Sequence, residues 1–154
     1  MSVCVRNPVR IAAVLSALLL AGACSASSPA TPGARYLAIA EPANDRLEQA
    51  LDGLEDHGRD LTAARADFAA AAATERKFDR DLLALNLPEP AGATARRLVD
   101  VNEARASITE QAAASASPAD VAGFEQDLAV ADAVVEIQVD RIREQLGLPP
   151  PDES

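Results

Sequence analysis

The chain has no tryptophan, one tyrosine, one methionine and three phenylalanines among 154 residues. Any core must therefore be thin, because aromatic side chains bury the largest areas. One histidine, His57, excludes a di-iron helical bundle, which takes a Glu-x-x-His motif from each of two helices. Two cysteines, Cys4 and Cys24, do not make a structural zinc set. No phosphate-cradling G-x-x-x-x-G-K-[ST] or G-x-G-x-x-G motif occurs. His57 has no matching nucleophile motif, so neither a catalytic set nor a cofactor or metal is expected. It sits instead in an acidic turn with Glu55, Asp56 and Asp60, read as a solvated loop, the alternative being a weak site for a divalent cation. Lysine and arginine number 14 against 24 acids, a net charge of −10. Such a chain cannot neutralise a row of phosphates, which argues against nucleic acid as a partner. The longest apolar run, Ile11 to Ala23, has 13 residues, short of the ~20 needed to span a bilayer as a helix.

That run has the length of an export-signal core, with Arg6 and Arg10 as the basic segment before it. Small residues precede Cys24, so residues 1–23 are expected to be a cleaved signal peptide. Leu20 to Cys24 (LAGAC) resembles a bacterial lipobox, in which cleavage precedes a cysteine that carries diacylglycerol. The resemblance implies a lipid on Cys24 and attachment to the bilayer. Ala21 and Ala23 also satisfy the A-x-A rule of ordinary signal cleavage, which leaves a secreted protein as the alternative. Either cut removes two arginines and no acid, leaving 12 bases against 24 acids. Cys4 goes with the signal, so no intramolecular disulfide remains. Residues 24–34, small, polar and containing Pro and Gly, are expected to be a flexible tether.

Alanine is what the chain has in excess: 35 residues. It has the best helix propensity and the smallest side chain that keeps it. From Tyr36 onward apolar residues recur at spacings of three and four, with no sustained alternation. The seams predicted are Leu37, Ala40, Asn44, Leu47, Leu51 and Leu54; then Leu61, Phe68, Glu75, Phe78, Leu82 and Leu85; then Leu98, Val101, Arg105, Ile108 and Ala112; then one helix from Val121 through Phe124, Leu128, Val135 and Ile142 to Leu146. Asp60 is placed to cap the second helix. Pro88 and Pro90 separate the second from the third. Ser117-Pro118, with Asp120, opens the fourth, and Gly147-Leu148-Pro149 closes it. Pro42 falls inside the first pattern, and the apolar phase crosses it, so a continuous kinked helix is expected, the competing reading being a separate short helix before it. The fold class expected is all-α: an antiparallel up-down-up-down four-helix bundle over residues 35–147, followed by a disordered tail over 148–154.

Asn44, Glu75, Asn102 and Arg105 place polar groups on or near these seams. Counted from the turns, Glu75, Arg105 and Asp132 fall at similar levels, so an interior cluster of Asn44, Glu75, Asn102, Arg105 and Asp132 is geometrically sound. Three readings follow from it: a small polar pocket for a ligand or cation, a buried ion pair that fixes register, or side chains that skirt the seam and reach water.

Three stretches, LLLAGAC, YLAIAEPANDRLEQAL and RIREQLGLPPP, frame nearly the whole chain. Together they resemble the short, Ala-rich, all-helical lipoproteins and exported proteins of high-GC Gram-positive bacteria. That resemblance implies an envelope location and no particular activity, and it assigns no functional residue beyond Cys24. The function expected is a non-enzymatic helical interaction or structural module, anchored to the outer face of the cell membrane, with an envelope protein of unknown identity as partner. The alternative is a bundle that binds a small ligand or cation. Val130, Val134 and Ile137 extend the apolar surface of the last helix beyond one seam, which marks either a partner-binding strip or packing against two neighbours.

Overall fold

A computed structural model describes residues 30–57 and 60–151. The signal segment 1–23, Cys24, the first part of the tether and residues 152–154 lie outside the described residues, as do the side chains of Glu55 and His57. The described chain is all-helical, with four long helices consistent with a four-helix bundle: α1 Pro32–His57, α2 Leu61–Ala84, α3 Ala91–Ala113 and α5 Glu125–Gln145, with a five-residue α4, Pro118–Ala122, before the last. Among the described residues no helix is long and apolar enough to cross a membrane.

The helix ends follow local chemistry. Helix α1 starts inside the segment expected as tether, because the Thr31 hydroxyl accepts from the Ala34 amide at 3.1 Å and Pro32 supplies a first helical residue that needs no donor. It runs unbroken through Pro42. Asp60 caps α2, accepting from the amides of Thr62 and Ala63 at 2.9 and 3.2 Å. Helix α2 stops at Ala84, ahead of Pro88, and Asn86 then takes a left-handed conformation, φ 47°. Ser117 caps α4 as expected. The fourth helix is not continuous, however. Gly123 and Phe124 bond to carbonyls three residues back, Asp120 and Val121, so the ladder tightens for one turn and resumes at Leu128 to Phe124. Gly147, at φ 68°, closes α5 with the amide of Leu148 reaching the Arg143 carbonyl at 2.9 Å.

Successive long helices pack on one another: α1 on α2, α2 on α3, α3 on α5. Arg35 of α1 donates to the Leu85 carbonyl at one end, and Gly53 lies beside Asp67 at the other, so α1 and α2 run in opposite directions. Arg65 reaches the Ala113 carbonyl while Arg76 meets Glu103, which sets the same relation for α2 and α3. The core lies at the end where α1 begins and α5 finishes, built from Tyr36, Ala40, Leu82, Leu87, Leu98 and Ile142. The Tyr36 and Phe78 rings meet in a T-shape, 78° between their planes and 6.4 Å between centroids.

Most buried apolar residues are alanines. The buried stripe of α1 is Tyr36, Ala40, Ala43 and Ala50; of the predicted seam Ala40 is buried, Leu37, Leu47 and Leu54 are half-buried, and only Asn44 and Leu51 miss. Ala43 and Ala50 let α2 approach, and the residue after each lies about 100° further round the helix. Asn44 and Leu51 are accordingly exposed.

Candidate functional site: a buried carboxylate pair and its arginine

Mid-bundle, three helices contribute ionic side chains to one chain of contacts. Glu75 on α2 is 2% exposed and accepts from Arg105 Nη1 of α3 at 2.5 Å. Arg105 Nε bonds in turn to Asp132 of α5. Asp132 is half-exposed, so the line runs from a dry end at Glu75 to a wet end at Asp132. Asn102, one turn before Arg105, is buried and donates through Nδ2 to Asp79 Oδ1 at 2.9 Å and to the Glu75 carbonyl at 3.5 Å.

The structure thus brings Glu75, Asn102, Arg105 and Asp132 together. Asn44 is exposed and reaches only the lining of the adjacent cavity, about 90 Å³, which Tyr36, Glu75, Arg105 and Arg143 also line. Of the three readings open for the cluster, the buried ion pair describes Glu75 with Arg105, and access to water describes Asp132.

Sequence reasoning missed Asp79. It assigned that level of α2 to Phe78, but α2 has a neighbour on each of two sides. Phe78 turns towards Tyr36 of α1, and Asp79 turns towards Asn102 of α3. The signal was present: Asp79 lies four residues after Glu75 and three before Leu82, on one helical stripe.

Burial governs the acidities. It pushes the Glu75 carboxyl up from 4.5 to about 7, against the pull of Arg105 and with help from Asp132 and Asp79. It pushes Asp79 up from 3.8 to about 6, with the Asn102 hydrogen bond opposing. Glu75 Oε2 and Asp79 Oδ2 are both buried without a hydrogen-bond partner among the described residues. Two such carboxyls, one turn apart, favour retaining a proton near neutrality. Burial also raises Tyr36 to about 12, with Arg143 nearby pulling it back.

Arg143 serves a purpose the sequence reading did not assign. It donates to the carbonyls of Pro149 and Pro150 at 2.7 and 3.2 Å. The first residues of the expected tail are thereby folded back, and Pro151 reaches the cavity lining.

Among the described residues no group of three or more His, Cys, Asp or Glu is placed to hold a metal ion. No protein family, curated protein or solved structure matches the chain.

Proposed function

We propose that the protein is an exported, non-enzymatic helical module, held at the outer face of the cell membrane by a lipid on Cys24 and working by binding another protein of the envelope. The observation that carries the binding role is the outer face of α5. Val130, Val134 and Ile137 are 63%, 40% and 54% exposed, and Ile142 is the only residue of α5 that is fully buried. Branched aliphatic residues recurring on one exposed helical stripe are what a docking face requires. The interior supports the same reading, since the cavity beside its polar cluster is about 90 Å³, too small for a sizeable ligand.

A second reading, a bundle that binds a small ligand or cation, draws on that cavity and on the unpartnered Oε2 of Glu75.

Intact-mass measurement of the protein from membranes tests the anchor. A diacyl adduct on Cys24, and loss from the membrane fraction on Cys24→Ala, are expected; an unmodified cysteine overturns the anchoring. Crosslinking in the intact envelope tests the binding role. Adducts lost on Val134→Glu are expected, and adducts indifferent to that change move the role away from α5.

A further inference from the structure

The exposed stripe of α5 is self-complementary. Read along the helix it runs Asp127, Val130, Val134, Ile137, Arg141, at spacings of three, four, three and four. These residues therefore share one face. Its ends carry opposite charges, and each charged residue stands seven positions from Val134. All five are exposed, and neither Asp127 nor Arg141 has an ion-pair partner among the described residues. Beside the stripe lies a groove between α3 and α5, lined by Val101, Ala104, Ile108, Val130 and Val134 and bordered by Asp100 and Asp127.

We propose that this face docks a second copy of the chain, α5 against α5 in opposite directions, with Val134 on the two-fold axis. Val130 then meets Ile137 of the second copy, and Asp127 meets Arg141 of the second copy, each contact made twice as an isologous interface requires. The groove gives the incoming helix an apolar wall on α3 as well. Charge selects this occupant. A uniformly basic partner helix would meet Arg141, and a uniformly acidic one would meet Asp127. A reversed copy of the same stripe matches both. One helix per copy buries less than the about 1,600 Å² of a standard interface, so the dimer is expected to depend on concentration. The inference rests on α5 being the binding face, and names what binds it.

Sedimentation equilibrium of the full chain in detergent micelles, with charge reversal at both ends of the stripe, tests it. The unaltered chain is expected to show a monomer–dimer equilibrium. Asp127→Arg and Arg141→Asp, each alone, set like charges together and are expected to weaken it about tenfold or more. The double variant, and an equimolar mixture of the two single variants, are expected to regain the dimer. Neither recovery follows from a folding defect. A monomer at every concentration, or a dimer indifferent to these changes, overturns the proposal. If self-association is absent while Val134→Glu still abolishes envelope adducts, α5 remains a binding face for a different protein. If both are absent, the binding role of α5 fails as well.

Discussion

At the scale of single residues, Glu75 and Arg105 are unequal members of their pair. Arg105 keeps an edge towards water through Asp132, whereas Glu75 has none. Removing the arginine strands a buried carboxylate, so Arg105→Leu is expected to cost about 3 kcal/mol at pH 8, measured by urea denaturation. The loss should shrink at pH 5, where Glu75 is protonated and needs no counter-charge. Replacing both partners by leucine should recover most of it.

The same burial sets a pH dependence. Glu75 and Asp79 have folded values near 7 and 6, above the ordinary 4.5 and 3.8. The folded state therefore binds protons more tightly than the unfolded chain between those limits. Stability from these two groups is fully present below about pH 4 and is lost as pH rises through 6 and 7. A melting temperature that falls between pH 5 and pH 8 is expected, and Glu75→Gln with Asp79→Asn should flatten that slope.

At the scale of elements, two helix boundaries rest on glycines for different physical reasons. A Cβ on Gly92 would stand 2.6 Å from the Leu87 carbonyl oxygen, where the α2–α3 connection folds against the first turn of α3. Backbone cannot rotate aside as a flexible side chain does. Gly92→Ala is expected to cost roughly 2 kcal/mol. Gly147 has open space around it but a positive φ, so Gly147→Ala should cost only about 1 kcal/mol, through backbone strain. Comparing the two by thermal melting separates steric from conformational demand. The capping residues were legible beforehand because their action is local: Asp60, Ser117 and Gly147 act within three or four residues. Thr31-Pro32 carries the same kind of signal, but the small polar residues before it share its composition, so by sequence it reads as tether. The break at Gly123 was hidden by an apolar rhythm that continues from Val121 through Phe124 to Leu128, although the backbone does not.

At the scale of the whole molecule, alanine sets how closely the helices approach. Ala106 is fully buried on α3, the helix that packs on both α2 and α5. Ala106→Leu has no space to fill, and overpacking is expected to cost about 1–3 kcal/mol, read as a lower denaturation midpoint. Leu98→Ala, also fully buried, should cost about 2–5 kcal/mol through the opposite fault, a cavity.

The sequence by itself determined that the folded part is helical, where most helices start and stop, and that Glu75, Arg105 and Asp132 come to one level. Each follows from periodicity, capping chemistry or counting residues from a turn. Only the tertiary structure decided which stripe of each helix faces inward. A helix with two neighbours has two inward stripes, and that number is not written locally. Hence Asp79 is buried beside Phe78, Asn44 turns outward while Ala43 packs, and Arg143 holds the chain beyond α5. The face of α5 that is left uncovered is decided in the same way, by the neighbours that α5 lacks.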